Sequence, residues 1–206
     1  MIVNKVYKKF KELGFFCSLL CFQKRIQLRY LCWKYNFDKW HATAPYECRP
    51  YKWEAVSLSN TITPESVLEV GCGLGDIVSR IEAKEKFGCD LDDNALFIAN
   101  KLCEDTKFFH SSLEDDTKIF NNISLKNLDL IVLINWPHLM PWKEIKNCVE
   151  NLKEKINIKY LLIDGILDTH KNYRFHHGRN QMLDLGKIKE EKKSSDLTRT
   201  FYLLEL

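Results

Sequence analysis

The spacing of apolar residues changes three times along this chain and divides it into four parts. Up to about residue 36 the apolar residues recur at helical spacing among basic residues, which predicts a long amphipathic helix. Residues 37–53 are aromatic-rich and contain Pro45 and Pro50, which favours a structured loop. Helical spacing returns over 53–58, and from residue 66 onward short β-like runs alternate with helix-length segments.

This alternation predicts an α/β fold. Strands are expected at 66–70, 86–89, 107–110, 128–134 and 159–163, with helices at about 76–83, 93–104 and 141–155. The run 128–134 is almost wholly apolar, as in a strand buried on both faces. Two later runs, 186–192 and 198–206, are expected to pair antiparallel at one edge. The order predicts a Rossmann-like, doubly wound and mostly parallel sheet.

Length and composition favour a single α/β domain with an extension. We divide the 206 residues into an N-terminal helical extension, residues 1–60, and an α/β domain, residues 61–206. The formal net charge of +3 gives no strongly basic surface, which disfavours nucleic acid as a partner.

Cysteine usage points to a reducing compartment. None of the eight cysteines forms a CxxC pair, and no clustered set of metal ligands is evident, so no metal site is expected. We expect all eight to be reduced in a cytoplasmic protein. They are Cys17, Cys21, Cys32, Cys48, Cys72, Cys89, Cys103 and Cys148.

The longest apolar run, residues 13–22, raises the question of a membrane segment. It is shorter than the roughly 20 residues that a transmembrane helix needs. Lys24 and Arg25 follow it directly without a small-residue cleavage site, which disfavours a signal peptide. We expect no transmembrane segment and a helix packed on the domain, and we leave peripheral contact with a membrane surface open.

A glycine loop follows the first strand of the α/β part. Gly71, Gly73 and Gly75 are spaced GxGxG, with Cys72 between the first two. Glycines in this position permit a tight turn and let the backbone approach a ligand closely. A dinucleotide site has GxGxxG spacing and places a pyrophosphate at a helix N-terminus, so an NAD-type site is the alternative.

Acidic residues on both sides of this loop favour a cationic ligand. Glu69 precedes the loop and Asp76 follows it, and both would repel a pyrophosphate. They suit a ligand with an amine and a sulfonium, such as S-adenosylmethionine. Asp90 ends the second strand and can accept hydrogen bonds from two ribose hydroxyls. Asp92 or the backbone at Leu91 would then border the adenine.

On these residues the chain resembles the class I S-adenosylmethionine-dependent methyltransferases over about residues 65–206. The segment 108–115 stands where that family's adenine-edge loop falls, which implies cofactor contacts from Ser112 and Leu113. The usual acidic residue after the third strand is absent there. The resemblance implies S-adenosylmethionine as cofactor. It rests on Glu69, Gly71, Gly73 and Gly75 for the family's first motif and on Asp90 for its ribose-binding acid.

The fourth strand ends in the sequence NWPH, residues 135–138. Ligands of open α/β sheets bind beyond the carboxyl ends of the strands, so this segment is expected near the transferred methyl group. His138 is the first candidate general base, because imidazole titrates near the working pH. A loop histidine bonded to backbone is the alternative. Asn135 is expected to orient the acceptor and to border the cofactor. The segment also partly matches the NPPY-type motif of amino-group methyltransferases.

Two other clusters could reach this site. The resemblance implies that the N-terminal segment covers the substrate pocket, where its aromatic residues would suit a sugar and His41 would be the second candidate base. A loop after the fifth strand carries donors for an anionic group such as phosphate. For both clusters a purely structural or solvated role is the alternative. The clusters are Trp40, His41, Tyr46, Arg49 and Tyr51, and His170, Arg174, His176, His177 and Arg179.

Together these features predict transfer of a methyl group from S-adenosylmethionine to an oxygen of a small polar acceptor. The compact size resembles methyltransferases of bacterial surface-polysaccharide gene clusters, which implies a sugar or nucleotide sugar as acceptor. An N-methyltransferase of RNA or protein and a non-catalytic fold that only binds S-adenosylmethionine remain alternatives. We expect a monomer or homodimer.

Overall fold

The computed structural model describes residues 2–43 and 45–206, with side chains from Leu19 onward. The chain forms seven helices and seven strands within these residues. The helices are α1 (Ile2–Tyr35), α2 (Lys39–Thr43), α3 (Pro50–Asn60), α4 (Asp93–Leu102), α5 (Asp116–Ile123), α6 (Trp142–Lys155) and α7 (Arg179–Leu183). The strands are β1 (Ser66–Val70), β2 (Glu85–Asp90), β3 (Lys107–His110), β4 (Asn127–Leu133), β5 (Asn157–Ile166), β6 (Lys187–Lys193) and β7 (Arg199–Glu205).

All seven strands belong to one sheet in the order β3-β2-β1-β4-β5-β7-β6. Strands β1 to β5 are parallel, and β7 is antiparallel to both β5 and β6. The predicted mostly parallel sheet with an antiparallel edge pair is therefore confirmed. The strand order reverses between β1 and β4, and in open α/β sheets the ligand site lies at the carboxyl ends of the strands that flank such a reversal.

Alternate residues of the central strands supply two apolar layers, one on each face of the sheet. On β4, Ile131 and Leu133 pack in the layer covered by α5 and α6, whereas Leu130 and Val132 pack in the layer that includes α3. This is why the sequence from Leu130 to Ile134 is continuously apolar rather than alternating. Both layers hold the strand ends rigidly in place beneath the glycine loop.

The last turns of α1 join the domain through a smaller apolar cluster. Leu28 and Phe37 are buried there with Ala95 and Ile98 of α4. Asp92 caps the N-terminus of α4 by accepting hydrogen bonds from two backbone N–H groups. Its second carboxylate oxygen accepts the backbone N–H of Asp38 at 2.7 Å. The segment after α1 is thereby fixed beside the end of β2.

The helix predicted over 76–83 is wrong. Only a single 3-10 turn, Val78–Arg80, forms there. The Ser79 hydroxyl donates back to the carbonyl of Gly75 at 2.7 Å, a local bond that competes with helix propagation. The chain must also return at once to β2, whose entrance is fixed by backbone bonds from Lys84 and Glu85 to the Glu65 carbonyl.

Three other predictions need correction. The segment 37–53 is not only loop, since α2, a 3-10 turn at Tyr46–Cys48 and the start of α3 lie within it. Helices α5 and α7 were not predicted. The cysteines are not all reduced, because Cys21 and Cys48 form a disulfide with a Cα–Cα distance of 5.3 Å. A pattern without CxxC pairs did not reveal it, since the two residues are brought together only by tertiary packing of α1.

Candidate functional site

The glycine loop after β1 has the backbone that its sequence requires. Gly71, Gly73 and Gly75 have φ angles of +74°, +53° and +74°, in the left-handed region that other residues rarely adopt. The N–H groups of Gly71 and Cys72 both donate to the carbonyl of Cys89, at 2.8 and 3.0 Å. These two bonds tie the loop to the end of β2, so that its backbone faces the site in a fixed conformation.

Two aromatic side chains from distant segments lie directly against this loop. A Cβ at Gly71 would lie 2.5 Å from the Trp136 ring, and a Cβ at Gly73 would lie 2.5 Å from Nδ1 of His41. The Trp136 indole N–H donates to the carbonyl of Val70 at 2.6 Å, which holds its ring over the start of the loop. The loop glycines are therefore required by their close neighbours as well as by their φ angles.

Glu69 is a buried carboxyl beneath the loop. Its side chain is 3% exposed and accepts the backbone N–H of Val78 at 2.9 Å. Burial raises its pKa to about 8, and the nearby Asp76 and Asp90 add to this shift, while the Val78 N–H and Lys52 oppose it. Lys52 itself is paired with Asp76 at 2.6 Å. Among the described residues no cation forms an ion pair with Glu69, and binding one would stabilise its ionised form.

Asp90 stands at the end of β2 with both carboxylate oxygens turned to backbone donors. Oδ2 accepts from Gly73 at 2.7 Å and Oδ1 accepts from Asp92 at 3.0 Å. Each oxygen has a second lone pair and can still accept a hydroxyl proton. The neighbouring Leu91 is exposed. Asp90 therefore combines two roles: it fixes the loop and keeps acceptor capacity toward solvent.

The segment after β3 contributes less side-chain chemistry than its sequence suggested. Leu113 is buried in the core, so only its backbone can face a ligand, and Ser112 is half-buried. His110 is occupied by an ion pair or hydrogen bond with Asp93 at 2.7 Å. The N–H of Ser111 donates to the Asp90 carbonyl, which places this segment beside the end of β2.

A second polar cluster occupies the carboxyl ends of β4 and β5. Asp164 is 2% exposed and accepts both the Arg199 guanidinium, at 2.5 Å, and the backbone N–H of Asn135, at 2.9 Å. Arg199 also donates to the Asn135 side-chain oxygen at 3.2 Å. Its guanidinium lies 4.1 Å from the centre of the Tyr51 ring. Arg199 was missed by sequence analysis, because no motif links β7 to the end of β4.

Asn135 and His138 follow β4 in an unusual backbone conformation. Asn135 has φ +73°, a left-handed conformation that asparagine tolerates better than most residues. His138 is half-buried, and its Nδ1 is buried without a hydrogen-bond partner in the described structure. Burial lowers the pKa of His138, an effect that Asp164 opposes and Arg199 reinforces. The lowered pKa favours the neutral imidazole, which is the form that can accept a proton.

The predicted anion cluster after β5 does not assemble. His177 is buried and uses Nε2 to bond the carbonyls of Pro137 and Met140, at 3.0 and 3.1 Å. Arg179 pairs with Glu191, and His170 lies 3.3 Å from the carbonyl of Leu197. These side chains point to different partners, so they do not form a common phosphate site. His177 instead fixes the turn that carries His138.

The aromatic cluster of the segment 37–53 is also divided. His41 lies against the glycine loop and Tyr51 lies beneath Arg199, so these two reach the site. Trp40 is 54% exposed, and Tyr46 packs instead between Trp53 and Arg80. Among the described residues, no three His, Cys, Asp or Glu side chains converge in a way that could hold a metal ion.

Comparison with solved structures identifies the fold. The N-methyltransferase NodS of Bradyrhizobium japonicum superposes with a TM-score of 0.59 and 13% identity over 75% of this chain and 93% of NodS. The magnesium protoporphyrin IX methyltransferase ChlM of Synechocystis, with bound S-adenosylhomocysteine, gives 0.57 and 15% identity over 76% of this chain and 84% of ChlM. A TehB-like S-adenosylmethionine-dependent methyltransferase of Corynebacterium glutamicum superposes with a TM-score of 0.56 and 17% identity over 73% of this chain and 86% of its own.

The fold of this chain is therefore that of the class I methyltransferases, which confirms the fold that the sequence resemblance implied. No protein-family model and no curated protein matches the amino-acid sequence. At 13–17% identity these structures share the fold with this chain.

Proposed function

We propose that this chain is an S-adenosylmethionine-dependent methyltransferase of a small polar acceptor, with oxygen of a sugar or nucleotide sugar as the methylated atom. The observation that carries the proposal is the left-handed glycine loop held between Glu69 and Asp90 at the reversal of strand order. The proposal includes a cytoplasmic protein, monomeric or homodimeric, in which residues 1–60 form the substrate-side lid and residues 61–206 the catalytic domain.

The donors and charges around the loop fit S-adenosylmethionine better than a dinucleotide. The buried Glu69 forms no ion pair among the described residues, and the positively charged methionine end of the cofactor would supply its cation. The spare lone pairs of Asp90 suit ribose hydroxyls. The exposed Leu91 and the backbone at Ser112 and Leu113 offer an adenine edge. A pyrophosphate would instead meet the carboxylates of Asp76 and Asp90 close to the loop.

When bound, the cofactor supplies an electrophilic methyl group. The remaining work is positioning of the acceptor and removal of its proton. Asn135, held by Asp164 and Arg199, presents a fixed amide at the end of β4 to orient a hydroxyl. His138, with its lowered pKa, takes the hydroxyl proton as the oxygen attacks. His41, which lies against Gly73 of the loop, is the second candidate for this role.

Calorimetric titration with S-adenosylmethionine, S-adenosylhomocysteine and NAD tests the cofactor. Micromolar binding of S-adenosylmethionine and S-adenosylhomocysteine, with no binding of NAD, supports the proposal. No binding of any of the three contradicts it. Asp90→Ala is expected to weaken S-adenosylmethionine binding by about 10- to 100-fold, the range for hydrogen bonds to a charged group. Asp93→Ala, which removes a neighbouring exposed acid, is the matched control and should leave binding unchanged.

Turnover distinguishes the remaining alternatives. Release of S-adenosylhomocysteine with nucleotide sugars supports the proposed acceptor class. Binding of S-adenosylmethionine without release in the presence of sugars, RNA or protein acceptors supports a non-catalytic fold. Salt-sensitive RNA binding with methyl transfer to RNA would support the N-methyltransferase alternative.

A further inference from the structure

The outer face of α1 carries an exposed apolar stripe. At 100° per residue, its five members fall within an arc of about 80°, directly opposite the buried face that includes Cys21 and Leu28. The helix is therefore apolar on two faces, of which only one packs on the domain. The outer stripe consists of Leu19 (46% exposed), Phe22 (63%), Ile26 (55%), Tyr30 (55%) and Trp33 (79%).

Intramolecular packing does not account for this stripe. Tyr30 and Trp33 contact each other, with ring centres 6.1 Å apart, but both remain more than half exposed. Contiguous apolar surface of this kind on a soluble domain marks an interaction site. The mixture of aromatic and aliphatic side chains on one helix face is typical of helices that lie in a membrane interface.

The charges beside the stripe all have the same sign. The sequence from Leu13 to Phe37 contains no Asp or Glu. At 100° per residue Arg29 and Lys34 flank the stripe and Arg25 lies just beyond Arg29, so the charges that border the stripe are all positive. The partner that complements this face must therefore offer both an apolar interior and negative charge.

Three arginines gather at one side of the stripe. The disulfide between Cys21 and Cys48 holds the 3-10 turn Tyr46–Cys48 against α1. Arg49, directly after this turn, therefore lies next to Arg25, which follows Cys21 by one turn of α1. The Nε atoms of Arg25 and Arg49 are buried and have no hydrogen-bond partner among the described residues. Burial lowers the pKa of Arg25, and Arg49 and Arg29 lower it further. No described residue supplies a counter-ion, so within this part of the chain the cluster is a group of like positive charges.

We propose that α1 docks on the surface of an anionic phospholipid bilayer, with the outer stripe in the interface and headgroup phosphates bound by Arg25, Arg29 and Arg49. Guanidinium groups bind phosphate through directed, charge-assisted hydrogen bonds. A second copy of the chain fits this face less well, because a two-fold interface would bring the same cations together. Docking is separate from methyl transfer and does not depend on the cofactor.

Co-sedimentation of the full chain with vesicles tests this proposal. Vesicles of phosphatidylcholine with 30% phosphatidylserine, as a working composition of roughly plasma-membrane charge, are compared with pure phosphatidylcholine. Binding is expected only to the anionic vesicles and is expected to weaken in high salt. Arg25→Gln/Arg29→Gln should weaken it about 30-fold, from about a factor of five for each basic residue at the surface. Ile26→Glu/Trp33→Glu should abolish it.

Matched controls come from other faces of the chain. Leu183→Ser changes an exposed leucine on α7. Lys126→Gln/Lys143→Gln removes two exposed cations far along the sequence from α1. Both variants should bind anionic vesicles as the unchanged chain does. Thermal unfolding of every variant verifies folding. Failure to bind either vesicle would overturn the proposal, as would equal binding to both. Dimers in sedimentation velocity that Trp33→Glu disperses, without vesicle binding, would assign the stripe to a second copy instead.

Discussion

Two buried carboxyls at the same edge of the sheet differ in their pairing: one forms an ion pair with an arginine and the other has its pKa raised by burial. Glu69 at the end of β1 is 3% exposed, receives one backbone N–H and has its pKa raised to about 8. Asp164 near the end of β5 is 2% exposed but meets Arg199 at 2.5 Å and the N–H of Asn135. The charge of Asp164 is neutralised by Arg199. Glu69 has no such ion pair among the described residues, so a bound cation would neutralise its ionised form.

The largest effect is expected from breaking the neutralised pair. Arg199→Met leaves Asp164 buried and unpaired, and should lower the free energy of unfolding by about 3–5 kcal/mol. Urea unfolding at pH 7 measures the loss. Arg199→Met/Asp164→Leu, which removes both charges, should recover most of it. A loss below about 1 kcal/mol for the single variant would mean that the pair is not desolvated as the structure has it.

Glu69 sharpens the comparison through the pH dependence of stability. A carboxyl whose pKa rises from 4.5 unfolded to about 8 folded binds its proton more tightly in the folded chain. Stability is therefore fully present below about pH 4.5 and falls as the pH rises toward 8, by at most about 1.4 kcal/mol per pH unit. Between pH 5 and 7.5 the loss is on the order of 3 kcal/mol.

Glu69→Gln keeps an acceptor for the Val78 N–H and removes the titration. Its free energy of unfolding should be nearly flat over this pH range after other titrating groups are accounted for, while the unchanged chain declines. Chemical unfolding at intervals from pH 5 to 8 measures both. Parallel pH curves for the two proteins would contradict the buried, uncompensated acid.

His138 tests the chemistry on the neutralised side. His138→Ala is expected to reduce turnover at least about 100-fold, the lower range for loss of a general base, with little change in S-adenosylmethionine affinity. Because burial lowers the His138 pKa, the acid limb of the unchanged enzyme should lie below pH 6.5 and vanish in the variant. Tyr173→Phe, which keeps the ring beside His138, is the control. Unchanged turnover for His138→Ala would transfer the role to His41.

The smallest effect is expected at the glycine loop. Gly73→Ala places a Cβ against His41 in a left-handed backbone and should lower the free energy of unfolding by about 1–2 kcal/mol. Gly73→Ala/His41→Ala should relieve the contact part of that loss and leave the backbone part. Thermal unfolding of both variants separates the two contributions. Equal losses in both would show that His41 does not press on the loop.

The contrast between these regions also explains what the sequence could predict. The glycine loop, Glu69 and Asp90 lie within one β-loop-β unit, so local spacing carries the signal. The pair of Asp164 and Arg199 joins β5 to β7, and the disulfide of Cys21 and Cys48 joins α1 to a short turn; both depend on tertiary packing that no local pattern encodes.

Helix boundaries were lost for a similar reason. Apolar spacing predicted a full helix where the structure has only the turn Val78–Arg80. The spacing carries no information on the hydrogen bond from the Ser79 hydroxyl to the Gly75 carbonyl, which competes with the helix. Helix α5 carries a usable signal that was overlooked, with Asp115 as N-cap and Ile119 and Ile123 one turn apart on its buried face. Glu69, Asp90 and Asn135 lie at or just after the carboxyl ends of β1, β2 and β4, and their roles in binding and turnover stay predictions.

The position of β7 in the sheet has a consequence for the order in which the strands can pair during synthesis. Strand β7 lies between β5 and β6, although both precede it in the sequence. A nascent chain that has not yet emerged past Arg199 therefore has β5 with an unpaired edge, β6 with no neighbour and Asp164 without its cation. Such an intermediate offers exposed strand edges to other chains and is therefore prone to aggregate until β7 has paired with β5 and β6.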